Sequence, residues 1–217
     1  MLIRRSISIT IVSILAGALG MFTFAAPISQ TTGTWHSLGS LVDARQGASA
    51  TMLDDGRVLL AGGSNATGLL ASAEVVSADG SSVAVASMNL PRTGHTATKL
   101  KDGRVLVTGG TGAGGDATAS AELFTPASGT WTPLSMTVAR RHHTATLLNG
   151  ESGLVVIAGG QNAGGTLASL EIFDPAAGAF APLAGTLSSP RARHAAAALP
   201  DGQVIVIGGS TGTSVNS

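Results

Sequence analysis

The sequence predicts an all-β repeat protein, and three observations point to that class. A segment of related sequence occupies residues 45–63, 92–110, 140–160 and 191–209, and each copy begins with arginine. The copies recur about every 50 residues, a period typical of propellers and solenoids. Each copy contains a short apolar run that ends in a Gly-Gly pair, and no helical periodicity follows it. We therefore expect one repeat domain of antiparallel sheets, in which each unit packs against its neighbours.

The amino-acid composition argues against nucleic-acid binding and against a fold held by disulfides. The 217 residues include 30 glycines but no cysteine and no tyrosine, and 12 basic residues balance 12 acidic ones. Because the chain has no basic stripe, nucleic acid is not an expected partner. Without cysteine the chain has no disulfide framework, so its stability must come from packing alone.

The first 25 residues resemble a secretory signal peptide. Arginines at positions 4 and 5 precede an apolar run, and Thr23 and Ala25 are the small residues expected before a cleavage site. The alternative is an uncleaved membrane anchor over residues 6–26, since a run of about 20 apolar residues spans a bilayer. Residues 26–32 form a short linker, and the repeat domain begins at residue 33. In either case we expect the repeats outside the cytoplasm: secreted, periplasmic or on the cell surface.

The arginine-led segment predicts a β-hairpin in each unit. In the second copy, residues 94–100 alternate small or apolar with polar residues, as in a strand near a crowded centre. Asp102-Gly103 follows and predicts a type I′ turn, which needs positive φ at both central positions. The equivalent dipeptides are Asp55-Gly56, Asn149-Gly150 and Asp201-Gly202.

The second strand of each unit is predicted to be buried on both faces. Residues 104–108 read Arg-Val-Leu-Val-Thr, an apolar and β-branched run that suits a central strand. The Gly-Gly pair after the strand permits positive φ and close approach of neighbouring backbone. The pair does not indicate a phosphate loop, because no Lys-Ser/Thr follows it. The four pairs are Gly62 and Gly63, Gly109 and Gly110, Gly159 and Gly160, and Gly208 and Gly209.

Two further strands complete each unit. The predicted third strands share a Ser-x-Glu-apolar pattern and lie at residues 72–76, 120–124 and 169–173. A turn then leads to a fourth, outer strand that carries Trp131 or Phe180, aromatic residues that can lock one thin sheet against the next. Trp35 predicts an unpaired outer strand ahead of the first complete unit.

Taken together, these residues resemble the kelch repeat of the galactose-oxidase type. The matching patterns are Arg-x-x-His-x-Ala-x-x-Leu, Asp-Gly-Arg-Val-Leu-Val-x-Gly-Gly, Ser-Ala-Glu and Pro-x-x-Gly-x-Trp, and they extend over residues 33–217. The resemblance implies a β-propeller of four-stranded antiparallel kelch blades. The predicted strands make three full blades plus partial blades, which is an incomplete ring. We therefore expect a truncated chain with exposed sheet edges.

The same resemblance calls for a test of three catalytic chemistries. Copper-radical oxidation of the galactose-oxidase kind needs tyrosine ligands and a tyrosine cross-linked to cysteine, and sialidases need a tyrosine nucleophile. The chain contains neither residue type. An epimerase or lyase that resembles the kelch sugar-acid mutarotases could use arginine and histidine around the central channel. We assign no catalytic residue, cofactor or metal ligand to this segment.

Polar residues that recur in register are interpreted as structural. In three copies, a histidine lies three residues after the leading arginine, and in the first copy Ala48 takes its place. We expect this histidine to bond neighbouring backbone rather than a metal. The repeated arginine and glutamate are expected to form an ion pair between blades or to cap loop amides. These residues are Arg45, Arg92, Arg140, Arg191, His95, His143, His194, Glu74, Glu122 and Glu171.

The irregular residues of the repeats are the candidates for ligand binding, because function in repeat proteins tends to lie where the copies differ. Arg141, His142 and Arg193 lie just before the first strand in the third and fourth copies. The resemblance puts that loop on the ligand-binding face, and arginine offers a bidentate fork to a carboxylate or sugar. We therefore predict a binding or interaction module for a glycan or a surface protein. The alternatives are the scaffold of a carbohydrate-active enzyme with catalytic residues beyond Ser217, and a structural spacer in a larger surface protein.

Overall fold

The structure is a computed structural model, and it describes residues 2–3, 35–36 and 39–212. The chain divides into two compact units, Met1–Gly39 and Ser40–Ser217. In the first unit, β1 (Leu2–Ile3) pairs antiparallel with β2 (Trp35–His36), so Trp35 is paired with Ile3. Apart from β1, the predicted signal peptide and the linker over residues 26–32 lie outside the described residues. No helix among the described residues is both long and apolar enough to cross a membrane.

The second unit is built from antiparallel sheets, three of them four-stranded. The first sheet consists of β3 (Ser49–Met52), β4 (Val58–Ala61), β7 (Ala73–Val76) and β8 (Ser82–Val85). The second sheet consists of β9 (Thr96–Lys99), β10 (Val105–Thr108), β11 (Ser120–Thr125) and β12 (Thr130–Ser135). The third sheet consists of β13 (Thr144–Leu147), β14 (Val155–Ala158), β17 (Ser169–Asp174) and β18 (Ala179–Thr186).

The remaining strands form two-stranded sheets. The fourth sheet pairs β19 (Ala195–Ala198) with β20 (Val204–Ile207). Two small hairpins pair β5 (Ser64–Asn65) with β6 (Gly68–Leu69), and β15 (Gln161–Asn162) with β16 (Gly165–Thr166). The prediction of an all-β chain with repeated four-stranded antiparallel sheets is confirmed for the described residues.

The first hairpin of the second sheet has a different turn from the predicted one. The Gly103 amide donates to the Leu100 carbonyl at 3.2 Å, and the Leu100 amide donates to the Arg104 carbonyl at 2.8 Å. Gly103 has a φ of 83°, whereas Asp102 does not have a positive φ. The hairpin is therefore a type I turn followed by a left-handed glycine, and the type I′ prediction is wrong. The Asp102 carboxylate accepts a bond from the Arg104 amide at 3.1 Å, a local contact that favours this turn.

The equivalent hairpin has the same turn in the first and fourth sheets and a longer loop in the third. The Gly56 and Gly202 amides make the equivalent bond, and both glycines have a positive φ, so the first and fourth sheets use the same turn. In the third sheet, the inserted residues 151–152 lengthen the loop. That loop closes with a 2.8 Å bond from the Leu148 amide to the Leu154 carbonyl.

The sheets pack face to face through alternating residues of their second strands. Val105 and Val107 of β10 belong to a buried cluster with Leu59 and Val75 of the first sheet. Leu106, on the other face of β10, belongs to the cluster shared with the third sheet. All three β10 residues are fully buried. The second strand is therefore buried on both faces, as its apolar sequence predicts.

Aromatic residues on the outer strands strengthen the contact between sheets. The ring centroids of Trp131 and Phe124, which are paired within the second sheet, lie 4.8 Å apart, and both rings pack on the buried cluster shared with the first sheet. The Trp131 indole N–H donates to the carbonyl of Ala86, just beyond the first sheet, at 2.7 Å. Phe180 and Phe173 repeat the ring contact at 4.8 Å in the third sheet. The predicted role of Trp131 in locking one sheet to the next is confirmed.

The Gly-Gly pair allows the backbones of consecutive repeats to meet. Gly109 has a φ of 60°, and a side chain there would meet the Arg140 carbonyl oxygen and, at 2.8 Å, Cε1 of His143. The Gly110 amide donates to the same Arg140 carbonyl at 2.9 Å. The predicted positive φ and close backbone approach are confirmed. The bond from the Gly110 amide joins the second sheet to the loop that leads into the third sheet.

Candidate functional site

The first strands of the sheets lie side by side, which brings the loops before them to one end. Strand β3 contacts β9, β9 contacts β13, and β13 contacts β19. Each strand directly follows the stretch from the repeated arginine to the histidine position, and we call these stretches the leading loops. The leading loops are residues 45–48, 92–95, 140–143 and 191–194. The Asp-Gly hairpins lie at the opposite end of the same strands.

The repeated arginine is buried and paired with the glutamate of its own sheet. In the second sheet, Nη2 of Arg92 lies 2.8 Å from Oε1 of Glu122, and neither side chain is more than 1% exposed. Nη1 of Arg92 donates to the carbonyls of Gly109 and Ser120, both at 2.9 Å. Glu122 also accepts two backbone amides from the connection that arrives from the first sheet, at 2.7 and 3.2 Å. Burial lowers the pKa of Arg92, and the Glu122 charge opposes that shift.

The same arrangement recurs in the first and third sheets. Arg45 lies 2.9 Å from Glu74, and Arg140 lies 2.8 Å from Glu171. Each pair joins two residues of one sheet, so an ion pair between sheets, which the sequence left open, is not what these residues form. Backbone amides of the preceding loops donate to the glutamate carboxylates, so the prediction that these residues cap loop amides is the one that applies. These buried arginines and glutamates are framework residues and present no surface to a ligand.

The repeated histidines bond hydroxyl groups of the preceding sheet. Nε2 of His95 lies 2.9 Å from Oγ of Ser49, and Nε2 of His194 lies 2.9 Å from Oγ1 of Thr144. Sequence reasoning placed their partners on the backbone, and backbone hydrogen bonds at Ala61 and Ala158 do oppose the lowering of the pKa of His95 and His194. The side-chain hydroxyls are partners that sequence reasoning missed. The signal for them was present, because a serine or threonine begins the first strand at Ser49, Thr96 and Thr144.

Burial keeps two of the repeated histidines neutral. Burial and the nearby Arg140 charge lower the pKa of His143 to about 3. Burial and the Arg92 charge lower the pKa of His95 to about 4. Within the part of the chain that the structure describes, no three His, Asp or Glu side chains group as metal ligands. With these lowered pKa values, His95 and His143 act as neutral hydrogen-bonding groups between sheets.

The third residue of the leading loop is left-handed in all four repeats. Gly47 and Gly94 occupy this position in the first two repeats, with φ values of 64° and 63°. His142 and Arg193 occupy it in the third and fourth, with φ values of 55° and 58°. Within the described ranges, these two are the non-glycine residues that have a positive φ. An L-residue in this conformation costs roughly 1–2 kcal/mol, so two repeats keep a strained side chain where glycine would serve the fold.

Backbone hydrogen bonds connect these left-handed residues in series. The His142 amide donates to the Gly94 carbonyl at 3.0 Å, and the Arg193 amide donates to the His142 carbonyl at 2.8 Å. The His142 ring lies over Gly94, where an added Cβ would be 3.0 Å from its Cε1. The glycine of the second repeat therefore leaves the space that the third repeat's imidazole occupies. Sequence reasoning missed this conformation, although glycine at the same offset in two repeats was the signal for it.

Arg141, His142 and Arg193 form what we call the cationic cluster. Nη1 of Arg141 donates to the Gly115 carbonyl at 3.1 Å, which holds the partly buried guanidinium in place. The buried Nε of Arg141 has no hydrogen-bond partner among the described residues. Burial lowers the pKa of His142, and the charges of Arg193 and Arg141 lower it further. Arg193 is exposed. Two guanidinium groups and a neutral imidazole at one loop end suit recognition of a carboxylate.

Comparison with known proteins adds no family to these observations. A scan of the chain against protein-family models gave no match, and neither did a search of curated proteins.

Proposed function

We propose that this chain is an exported protein of the kelch β-propeller type that binds a carboxylate-bearing ligand, an acidic glycan above all, through the cationic cluster. The repeat pattern of residues 33–217 and the three four-stranded sheets support a propeller. The basic start, apolar run and small residues of positions 1–25 support export. The proposal assigns a binding role and no catalytic residue.

The strained backbone at His142 and Arg193 is the observation that carries this proposal. The first two repeats place glycine at the same position and form sheets of the same kind, so the fold does not need a side chain there. Strained residues concentrate where a protein binds or catalyses. The strain at these two positions therefore supports a role for the side chains beyond formation of the sheets.

The chemistry of the cationic cluster favours an anionic over a neutral sugar. Arg193 is exposed and presents its donors to solvent, while Arg141 is held by the loop around Gly115. Guanidinium groups bind a carboxylate by charge-assisted hydrogen bonds, which are about twice as strong as neutral ones. The neutral imidazole of His142 can donate to or accept from an adjacent sugar hydroxyl.

A glycan array followed by calorimetry tests the proposal. We expect the purified chain to bind uronate-containing oligosaccharides saturably, more weakly at high salt, and to ignore neutral ones. Arg141→Gln and Arg193→Gln should each weaken binding by about tenfold or more. Arg57→Gln is the matched control, because it removes a half-exposed arginine at the opposite end of the strands.

Three results would contradict the proposal. Neutral sugars could bind as well as acidic ones, or Arg57→Gln could weaken binding as much as the cluster variants do. The absence of saturable binding to any sugar would favour a protein ligand or a structural spacer.

A further inference from the structure

We infer that Asn149 is a site of spontaneous deamidation, and that its conversion to aspartate weakens the contact between the third sheet and the hairpin of the fourth. Asn149 and Gly150 begin the lengthened loop between β13 and β14. The reaction takes place within the chain and consumes only water. The loop lies at the end of the strands opposite the cationic cluster, so the inference does not rest on the proposed function.

The reaction is an attack of a backbone nitrogen on a side-chain amide. The nitrogen of Gly150 forms a bond to Cγ of Asn149, and the bond from Cγ to Nδ2 breaks. The proton of the Gly150 nitrogen ends on the departing ammonia, and a cyclic succinimide remains. Water then adds to one of the two ring carbonyls, which opens the ring to aspartate or to isoaspartate. The sum is asparagine plus water to aspartate plus ammonia, so no oxidant or reductant is needed.

The loop leaves this attack unobstructed. Residues 149–152 are exposed. Gly150 has a φ of 138°, and a Cβ built there would meet no atom of the described chain within 4 Å, its immediate neighbours aside. A side chain after the asparagine would crowd the attacking nitrogen, and glycine has none. Asn65 and Asn162, which lie in the two small hairpins, each precede alanine instead. We therefore expect Asn149 to react well before these two.

The side-chain amide of Asn149 connects the third sheet to the fourth. Its Nδ2 donates to the Leu199 carbonyl at 3.1 Å and to the Ala198 carbonyl at 3.4 Å. The Leu199 carbonyl also accepts the Gly202 amide at 3.0 Å, within the hairpin that joins β19 to β20. Asn149 therefore supplies hydrogen-bond donors to the hairpin of the following repeat.

Deamidation replaces these donors with acceptors. An ionised carboxylate only accepts hydrogen bonds, so at position 149 it would face two carbonyl oxygens. Asp54 is the equivalent residue of the first sheet, since each follows the leucine whose amide closes the hairpin. The Asp54 carboxylate lies 2.6 Å from the Lys99 ammonium at the end of β9. Ala198 ends β19 in place of that lysine, so an aspartate at position 149 does not gain the equivalent ion pair.

Ageing of the purified full chain in mildly alkaline buffer tests the site. In water labelled with heavy oxygen, we expect peptide mapping by mass spectrometry to find labelled aspartate and isoaspartate at position 149, while Asn65 and Asn162 remain amides. Gly150→Ala should slow the conversion by about tenfold or more, which corresponds to roughly 1.4 kcal/mol of activation free energy. If that variant does not fold, the three asparagines of the parent chain still decide the matter. Equal conversion at all three, or none at position 149, would overturn the inference.

Asn149→Asp carries the charge of the product and tests the structural consequence. The amides of Leu199 and Gly202 should exchange hydrogen about fivefold faster than in the parent, because the hairpin loses a donor from the third sheet. Asn65→Asp is the matched control, since Oδ1 of Asn65 accepts the Thr67 amide at 2.8 Å and a carboxylate can do the same. That control should leave the two exchange rates unchanged. If Asn149→Asp leaves them unchanged as well, deamidation does not weaken the contact, and that part of the inference is wrong.

Discussion

Nε2 of His143 lies 2.8 Å from Oγ1 of Thr108, so a histidine at the start of the third sheet is bonded to the second sheet. The equivalent bond of His95 to Ser49 joins the second sheet to the first. These contacts lie under the leading loops and couple each repeat to the one before it. They require neutral imidazoles, because burial disfavours the charged form.

The stability of the chain is expected to fall as the pH is lowered from about 6.5 towards 4. Burial lowers the pKa of His143 to about 3 and that of His95 to about 4, below the value of about 6.5 for an exposed histidine. In this window the unfolded chain takes up protons that the folded chain does not. Each histidine then removes up to about 1.4 kcal/mol of unfolding free energy per pH unit. Urea denaturation at several pH values measures this loss.

The variant His143→Gln isolates the contribution of one imidazole. Glutamine can still bond Thr108 but takes up no proton in either state. Its unfolding free energy should fall by about 1 kcal/mol less than that of the parent between about pH 6 and 5. An unchanged pH dependence would show that His143 is not one of the titrating groups.

Glu122→Gln is expected to destabilise the chain by about 3–5 kcal/mol, because it leaves the Arg92 guanidinium charged and buried without its carboxylate. Chemical denaturation gives the value. Asp54→Asn is the matched control, since it breaks an ion pair with Lys99 in which both side chains are more than a third exposed. That control should change stability by less than about 1 kcal/mol. Similar losses for the two variants would mean that burial of the Arg92–Glu122 pair does not set the loss of unfolding free energy.

Gly109→Ala is expected to cost about 2 kcal/mol more than Gly129→Ala. Both glycines have a φ near 60°, so both variants carry the same backbone strain. A Cβ at Gly109 also meets the Arg140 carbonyl oxygen and the His143 ring, whereas a Cβ at Gly129 meets nothing within 4 Å. The difference in unfolding free energy therefore reports overpacking between the second sheet and the following loop. Equal losses would contradict the close approach of Gly109 to the Arg140 carbonyl and the His143 ring.

Arg193→Gly is expected to raise the unfolding free energy by up to about 1 kcal/mol. Glycine relieves a left-handed strain of about 1–2 kcal/mol and loses roughly 0.5–1 kcal/mol through greater freedom of the unfolded chain. Arg193→Ala removes the same side chain but keeps the strain, and should not be stabilised. Thermal and chemical denaturation of the two variants, side by side, measure the difference. If the alanine variant is the more stable by about 0.5–1 kcal/mol, the ordinary cost of glycine, position 193 is not strained.

Much of the fold was predictable because its signals are local. The apolar run of β10, the glycine pairs and the Ser-x-Glu pattern of β11 each predict a strand or a turn without knowledge of distant contacts. The candidate cluster was also predictable as a set of residues, because Arg141 and Arg193 break the repeat. Its conformation was not, since φ at His142 depends on how its loop passes over Gly94.

The sequence by itself determined the strands, their order along the chain and the repeat that relates them, because these follow from alternation and turn chemistry within a few residues. Only the tertiary structure decided which partners the polar residues take. Arg92 meets Glu122 inside one sheet, while His143 reaches Thr108 in the sheet before it. Both are polar residues that recur with the repeat, and no spacing along the chain distinguishes them. The distinction arises because side chains that point between sheets meet a neighbouring repeat, whereas those that point along a sheet meet their own.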